Sequence, residues 1–330
     1  MVEKVKALAL LSGGLDSTIA VKLLLNQGVE VEAINFVTPF SIAGKGAEKA
    51  AEVAEKLKVP LKTVNLGVDY LKVIRRPKYG YGKNMNPCID CRIFMLKKAW
   101  EYAEEIGASF IVTGEVLGER PMSQRRKALA IIEEEAGLKG RVLRPLSAKL
   151  LPITEPEKRG WVDRDRLLDI KGRSRKRQMA LAEEFGFWSY PNPAGGCLLT
   201  YKEYAAKLRD LFAHNKRVSL RDVYLLKIGR HFRFGKNKII VGRDEAENKA
   251  LLQIKGANDY LFEVQGCGSP TTLLQGPKSN EAVKKAAELT TYYSDWKIGK
   301  ALVKYGGKLL EKSILVSVPS REEVELLRIK

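Results

Sequence analysis

The sequence is poor in the residues that build disulfide-rich and membrane-spanning proteins. Only four cysteines and two histidines occur among 330 residues, too few for a disulfide framework in a chain of this length. No apolar run approaches the roughly 20 residues that a membrane-spanning helix needs. Acidic residues are also scarce, since 39 Asp and Glu stand against 58 Lys and Arg. We therefore expect a cytoplasmic protein with reduced thiols and no membrane partner.

The excess of positive charge bears on the partners that the chain can bind. The formal net charge is +19, and each Lys or Arg that neutralises a phosphate adds affinity for a polyanion. Residues 171–177 hold five cations and no acid, and residues 217–243 hold eight cations, three aromatic residues and one acid, Asp222. A solvated helix face would interleave acids with its cations, so this clustering favours RNA binding.

Predicted strands and helices alternate through the first part of the chain. The apolar runs that predict strands lie at residues 5–11, 31–36, 61–66 and 110–113. Alternation with short links is typical of an α/β fold with a doubly wound, mostly parallel sheet. Such sheets bind ligands at the carboxyl ends of their strands.

The length of the chain allows two domains. From about residue 215 the periodicity becomes β-like, at 223–228 and again at 239–241. We therefore expect a larger α/β domain over residues 1–200 and a smaller α+β domain over residues 215–330.

A glycine-rich loop follows the first predicted strand, at residues 12–18. Its glycines let the backbone approach a phosphate closely, and the N–H groups of the following helix, with nearby hydroxyls, hold the anion. A carboxylate beside phosphates is unfavourable unless a cation lies between them. We therefore expect Asp16 to hold Mg²⁺ against the phosphates.

The letters SGGLDS in this loop resemble the pyrophosphate-binding loop of the PP-loop ATPases, whereas the Walker pattern is absent. The resemblance implies that ATP is cleaved to AMP and pyrophosphate while an oxygen is activated as its adenylate. It also implies that Thr113, Gly114 and Glu115, at the end of the fourth predicted strand, face the same nucleotide cleft. The loop residues that it assigns to pyrophosphate and magnesium are Ser12, Gly13, Gly14, Leu15, Asp16, Ser17 and Thr18.

Three of the four cysteines lie in contexts that indicate chemistry. Cys88 and Cys91 form a C-x-x-C pair at a predicted helix start, where the helix dipole lowers the pKa of a thiol. Cys197 follows two glycines that would let a loop fold over a cofactor. Three thiolates with one open position suit an iron–sulfur cluster. A zinc site that adds Cys267, a persulfide route through two cysteines, and thiols that only pack are the other interpretations.

The cysteine spacing resembles that of the cluster-dependent tRNA thiouridine synthases among the PP-loop enzymes. This resemblance implies that Cys88, Cys91 and Cys197 hold a [4Fe–4S] cluster whose unligated iron carries the sulfide that attacks an adenylated base. Cys91 and Cys197 also partly match the motifs of the persulfide-forming bacterial 2-thiouridylases, from which the additional Cys88 departs.

The segment from residue 227 to residue 243 resembles the RNA-binding domain of the NFACT proteins, as does the later segment 268–274. The resemblance implies RNA contacts from five residues of this segment. They are Arg230, His231, Arg233, Lys236 and Lys238. To these we add three cations of the earlier cluster, Lys171, Arg173 and Arg177.

Together these features predict an ATP-dependent tRNA sulfurtransferase. A uridine carbonyl oxygen would be adenylated, and sulfur from sulfide or a persulfide carrier would displace AMP, with Asp16, Cys88, Cys91 and Cys197 as the catalytic residues. Three alternatives stay open: a 2-thiouridylase that uses a persulfide without a cluster, an amidase or ligase with an amine nucleophile, and a non-enzymatic RNA-binding factor switched by ATP. The sequence does not specify the uridine, the choice of O2 or O4, the sulfur donor, or whether the chain forms a homodimer.

Overall fold

The computed structural model describes residues 5–42, 45–187 and 196–330. The chain divides into two compact units, Met1–Thr200 and Tyr201–Lys330. Residues 201–214, which lie between the two predicted domains, belong to the second unit. In the described parts of the chain no helix is both long and apolar enough to cross a membrane.

The first unit is built on a parallel sheet of five strands. They are β1 (Lys6–Leu10), β2 (Glu30–Val37), β3 (Leu61–Asn65), β4 (Phe110–Thr113) and β5 (Val142–Leu143). Their order is β3-β2-β1-β4-β5, with every pair parallel. The chain runs outward from β1 to β3 and returns on the other side of β1 at β4, which places the switch point between the carboxyl ends of β1 and β4. The predicted doubly wound fold is confirmed.

Helices cover both faces of this sheet. In the described residues they are α1 (Leu15–Leu25), α2 (Lys45–Leu57), α3 (Val68–Arg75), α4 (Cys88–Glu105), α5 (Arg126–Ala136), α6 (Glu155–Lys158) and α7 (Lys176–Glu184). Side chains alternate along a strand, so Ala7 and Ala9 pack on one face with α1 while Leu8 packs on the other with α4. Burial on both faces explains why β1 reads as a continuous apolar run.

The second unit is an antiparallel sheet with helices on both faces. Its helices are α8 (Lys202–His214), α9 (Leu220–Leu225), α10 (Glu245–Ile254), α11 (Asn280–Tyr292) and α12 (Arg321–Leu327). Its strands are β6 (Arg230–Phe234), β7 (Asn237–Val241), β8 (Tyr260–Val264), β9 (Thr272–Gln275), β10 (Lys300–Gly306) and β11 (Lys312–Ser317). Their order is β11-β10-β8-β9-β7-β6. On β7, Ile239 packs with α11 on one face and Ile240 packs with α10 on the other.

One predicted element of the second unit is wrong. Residues 223–228 were expected to form a strand, but Leu220–Leu225 is helix α9. A capping box starts this helix, because the Ser219 hydroxyl accepts from the Asp222 N–H (3.2 Å) and the Asp222 carboxylate accepts from the Ser219 N–H (3.0 Å). Val223 and Leu225 are then buried on the helix, so an apolar run that alternation alone assigned to a strand packs as a helix.

Candidate nucleotide and thiol site

A cavity of about 450 Å³ opens at the carboxyl ends of β1, β2 and β4. This volume lies within the range of pockets that hold small molecules and cofactors. Apolar side chains from the strand ends form one part of its wall, and the loop between β1 and α1 forms another. Thr113, Gly114 and Glu115 line the same cavity. Five of the seven predicted loop residues line the cavity with the end of β4: Ser12, Gly14, Leu15, Asp16 and Ser17.

Two glycines bring the backbone together around this loop. Gly13 has φ +72°, and a Cβ there would lie 2.7 Å from the backbone nitrogen of Ala50. A Cβ on Gly114 would lie 2.6 Å from the carbonyl carbon of Asp16. Atoms at these distances overlap, so both positions require glycine for the loop to keep its place against α2 and β4.

Hydroxyl groups and one buried amide complete the loop and the inner wall. The hydroxyls of Ser17 and Thr18 both donate to the carbonyl oxygen of Gly14 at 2.9 Å. Asn35 of β2 is 5% exposed and donates its Nδ2 to the carbonyl oxygen of Leu11 at 2.7 Å. Its Oδ1 is left as an acceptor without a hydrogen-bond partner among the described residues. The inner wall therefore offers an apolar pocket with one fixed amide acceptor.

Two acids face the loop end of the cavity, Asp16 and Glu119. Burial raises the pKa of Asp16, against the opposing charge of Arg175. Burial and then the charge of Asp16 raise the pKa of Glu119, which shows that the two carboxyl groups are near each other. Asp16 Oδ1 is buried and has no hydrogen-bond partner in the described residues. Two carboxyl groups within electrostatic range of each other, one with an unsatisfied oxygen, fit a hard divalent cation.

A chain of buried charges leads from the edge of the sheet into the cavity. Arg144 is 3% exposed and donates its Nε to Glu115 Oε2 at 3.0 Å. Glu115 is 4% exposed, and its Oε1 lies 3.4 Å from Arg92 Nε. Burial alone raises the pKa of Glu115, but the charges of Arg144 and Arg92 outweigh it and hold the pKa below its usual range. Glu115 is therefore ionised and pairs with a cation that also lines the cavity, Arg92.

Short backbone contacts bring Cys197 to the other two cysteines. The N–H of Leu198 donates to the carbonyl of Phe40 at 2.9 Å, and the N–H of Met85 donates to the carbonyl of Leu199 at 3.1 Å. Met85 lies just before Cys88, the first residue of α4, and Cys91 follows one turn later. The glycine-rich stretch before Cys197 lies mostly outside the described residues, which resume at Gly196.

A buried tyrosine, Tyr70, lies beside one of the three thiols. The Tyr70 hydroxyl lies 3.0 Å from Cys91 Sγ. Burial raises the pKa of Tyr70, and the charges of Cys91, Cys197 and Cys88 raise it further. This coupling places all three thiols within electrostatic range of one hydroxyl group.

The expectation that the helix start lowers the thiol pKa values is wrong for this structure. Burial raises the pKa of Cys88 and of Cys91, with the charge of Arg92 opposing it in both. Burial raises the pKa of Cys197 to about 12. Desolvation of these thiols outweighs the helix dipole, so the protein as described holds them as neutral thiols.

In kind and number the three thiols suit an iron–sulfur cluster, because such clusters are held by soft thiolate donors. Across the described ranges, however, no group of three or more His, Cys, Asp or Glu side chains is arranged to hold a metal ion. Cys267, the fourth ligand of the alternative zinc site, packs instead against the core of the second unit.

The predicted RNA contacts of the first unit lie on its surface. Lys171, Arg173 and Arg177 are exposed. Arg177 is paired with Asp169 at 2.7 Å. Lys171 lies beside Leu117 in a short parallel bridge, which places the basic segment next to the loop that follows β4.

The predicted RNA contacts of the second unit divide into surface and core. Lys236 is exposed at the β6–β7 turn, and Arg230 is half-buried with its guanidinium over the ring of Tyr293, 4.5 Å from its centre. Arg233 is paired with Asp210, Nε to Oδ1, at 2.9 Å. His231 and Lys238 are buried, at 2% and 4% exposure. These two predicted contacts need correction, because side chains inside a folded sheet cannot reach RNA.

Four charged residues of the cavity wall were not singled out from the sequence: Arg92, Glu119, Arg120 and Arg175. Arg92 directly follows Cys91, and Arg175 lies within the basic segment that was assigned to RNA as a whole. Glu119 and Arg120 follow the Thr113-Gly114 motif in a loop without periodicity. Proximity to motif residues was the signal that the sequence offered for them.

Two family models match the chain. Residues 3–149 match the model described as thiamine biosynthesis protein (ThiI). Residues 229–326 match the model of the NFACT protein RNA-binding domain. The first match includes the phosphate loop, Cys88, Cys91 and the end of β4, and the second includes the sheet of the second unit.

Individual proteins with related sequences match part of the chain. A probable tRNA sulfurtransferase of Lysinibacillus sphaericus (strain C3-41) is 36% identical over 154 residues, which cover 46% of this chain and 37% of that protein. The tRNA-specific 2-thiouridylase MnmA of Syntrophotalea carbinolica is 36% identical over 117 residues, which cover 32% and 33% of the two chains. This chain thus spans about a third of the length of these relatives. A crystal structure of a 4-thiouridine synthetase in complex with RNA and ATP matches with a TM-score of 0.36 and 25% identity, covering 56% of this chain and 54% of that one.

Proposed function

We propose that this chain is an ATP-dependent tRNA sulfurtransferase. Its first unit belongs to the ThiI and tRNA sulfurtransferase family of PP-loop proteins, and its second unit carries an NFACT-type RNA-binding domain. It adenylates a uridine carbonyl oxygen and replaces that oxygen with sulfur. The curated relatives cover only part of the chain, so the activity of the whole protein is our proposal.

One observation supports this function above the others: sequence neighbours of the cysteine thiols form part of the wall of the nucleotide cavity. Arg92 and Gly196 line the cavity, and they are the sequence neighbours of Cys91 and Cys197. A base that is adenylated in the cavity would therefore lie beside the thiols. An enzyme that used an amine nucleophile would have no need for three cysteines at this wall.

ATP would bind with its adenine against the apolar strand ends and its phosphates at residues 12–18. The backbone N–H groups at the start of α1 would hold the pyrophosphate. Asp16 and Glu119 would hold Mg²⁺, which supplies charge stabilisation to the departing pyrophosphate. No side chain needs to remove a proton in this step, because a carbonyl oxygen of the base attacks the α-phosphate. Catalysis of this step is then positioning and charge stabilisation.

The second unit would hold tRNA. A phosphate backbone is bound by exposed cations, of which Lys236 and the half-buried Arg230 are the predicted contacts that remain accessible. Arg230 also offers its guanidinium beside an aromatic ring, a combination that suits unpaired bases. The exposed cations Lys171, Arg173 and Arg177 of the first unit would add contacts with the same substrate.

Cys88, Cys91 and Cys197 would hold a [4Fe–4S] cluster, which supplies an open iron position for sulfide from an external donor. Tyr70, with its hydroxyl 3.0 Å from Cys91 Sγ, would orient that sulfur. The burial that raises the thiol pKa values also excludes water from the adenylated base, which would otherwise hydrolyse it.

The test is an anaerobic preparation analysed for iron, zinc and acid-labile sulfide, followed by assay with ATP, sodium sulfide and unmodified tRNA transcripts. We expect iron and sulfide in the protein, pyrophosphate release that requires tRNA, and thiouridine in the digested tRNA. Cys88→Ala, Cys91→Ala and Cys197→Ala should each abolish thiouridine formation. Cys267→Ala, a cysteine of the second unit, is the matched control and should retain it.

Each alternative function gives a different outcome. Full thiolation by an iron-free preparation that is supplied with a persulfide donor in place of sodium sulfide would favour a persulfide route, in which two of the cysteines suffice. Pyrophosphate release that survives Cys88→Ala with an amine acceptor would indicate an amidase or ligase. Binding of tRNA without any pyrophosphate release would indicate a non-enzymatic factor.

A further inference from the structure

We propose that Arg92 is a catalytic residue of the sulfur-transfer step, where its guanidinium holds the phosphate of AMP as the AMP leaves the base. The inference rests on the proposed function. It assigns a role to Arg92, which belongs neither to the predicted motifs nor to the three cysteines.

Arg92 is placed where the two halves of the reaction meet. It follows Cys91 on α4 and lines the nucleotide cavity together with the phosphate-loop residues Ser12 and Asp16. Its side chain is 37% exposed and forms part of the cavity wall. Of the cations that line this cavity, Arg92 is the one on the helix that carries two of the thiols.

The buried charge chain fixes the position of Arg92. Glu115 lies 3.4 Å from its Nε and is itself anchored by Arg144, which is 3% exposed and also pairs with Glu133. Glu115 occupies one edge of the guanidinium and leaves the remaining donors for a ligand, because a guanidinium carries five N–H groups in a planar fork. A cation held in this way needs little reorganisation when charge develops near it.

The chemistry of the second step requires such a cation. Sulfide sulfur forms a bond to the uridine carbon, and the bond from that carbon to the oxygen of AMP breaks. The electron pair of the broken bond goes to the phosphate of AMP, which leaves as an anion together with the original base oxygen. The step is not a redox reaction and needs no further reactant. A fixed guanidinium near both the thiols and the phosphate stabilises the charge as it develops.

The experiment separates the two steps in the full-length protein. Arg92→Met, Arg92→Lys and the control Lys97→Met, an exposed cation on the same helix, are assayed for tRNA-dependent ATP:pyrophosphate exchange and for thiouridine formed in a single turnover with sodium sulfide. For Arg92→Met we expect near-normal exchange and a loss of about 10²- to 10³-fold in the rate of thiouridine formation. Arg92→Lys should recover part of that rate, because it restores the charge without the fork. Lys97→Met should match the unmodified protein.

Iron content and thermal unfolding are measured on every variant, so that a damaged fold or cysteine site is recognised without reference to activity. An equal fall in exchange and thiolation for Arg92→Lys, with its fold intact, would overturn the inference and assign Arg92 to ATP binding, while the proposed function would stand. A normal thiolation rate in Arg92→Met would also overturn it. If the unmodified protein shows neither exchange nor thiolation, the proposed function fails and the inference fails with it.

Discussion

Gly114→Ala tests whether the end of β4 and the phosphate loop must touch for ATP to be activated. The φ of Gly114 lies outside the left-handed region, so alanine meets no backbone strain there and its effect is steric. The added Cβ would lie 2.6 Å from the carbonyl carbon of Asp16 and 2.6 Å from Cα of Ser17. All of these neighbours are backbone atoms, which cannot turn aside as a flexible side chain can.

The size of the effect follows from the displacement that relieves this overlap. A real Cβ essentially never lies within 3.0 Å of such atoms, and the backbone nitrogen of Ser17 would be closer still, so the loop must move away from β4 by more than 0.4 Å. The loop carries Asp16 and the first N–H groups of α1, which would hold magnesium and pyrophosphate. Because a misplacement of about 1 Å costs on the order of 10²-fold in rate, we expect kcat/KM for ATP in pyrophosphate exchange to fall roughly 10- to 100-fold.

The assay is tRNA-dependent ATP:pyrophosphate exchange over a range of ATP concentrations, with thermal unfolding as the check on the fold. Gly67→Ala is the matched control, since Gly67 also lies just after a strand of the parallel sheet and a Cβ there meets nothing within 4 Å. We expect Gly67→Ala to retain normal exchange. Normal exchange by a folded Gly114→Ala protein would refute the argument that this contact positions the phosphate loop.

Three further predictions concern charges in the two units. Asp16→Asn should abolish pyrophosphate exchange while tRNA still binds, because it removes a magnesium ligand; exchange that persists at any magnesium concentration would contradict the assignment. In filter-binding titrations, Lys236→Ala should reduce the magnitude of the slope of log affinity for tRNA against log salt concentration by about one. Lys238→Met changes a buried position and should leave this slope unchanged. Lys238→Met should also stabilise the second unit at pH 6. Burial lowers the pKa of Lys238 from 10.5 to about 7. The buried charge therefore lowers the free energy of unfolding by on the order of 5 kcal/mol below pH 7. This destabilisation disappears as the pH rises toward 10.5. At pH 6, amide hydrogen exchange in β7 should therefore be slower in Lys238→Met than in the unmodified protein, whereas at pH 10 the two rates should differ little. An equal effect at both pH values would show that the buried charge is not the cause.

Local patterns predicted the first unit well, because its elements follow rules of short range. The apolar run of β1, buried on both faces, could be read directly, and β4 begins and ends at the predicted residues Phe110 and Thr113. The capping box of Thr154 and Glu157 follows a rule of the same short range. The same kind of signal was overlooked at Ser219 and Asp222, where a capping box starts a helix in an apolar run that was assigned to a strand.

Burial was the main property that local patterns could not supply. His231 and Lys238 lie in the same basic segment as the exposed Lys236. Nothing in the sequence around them distinguishes a buried position from an exposed one. The register of β6 with β7 pairs His231 with Ile240 and Arg233 with Lys238. The packing of helices on both faces of this sheet then decides which cations remain exposed.

The sequence by itself determined the chemistry that is available: a glycine loop with one acid, three cysteines in two segments, and an excess of clustered cations. These are properties of residue type and close spacing, and they need no knowledge of distant contacts. Only the tertiary structure decided which groups meet. The backbone contacts of Leu198 and Leu199 bring Cys197 to Cys91, parallel pairing of β1 with β4 brings Gly114 to Asp16, and Arg144 reaches Glu115 from a residue 29 positions away. Desolvation in the folded state then sets the thiol pKa values against the helix dipole, because the free energy of a charge depends on everything packed around it and not on its neighbours in the chain.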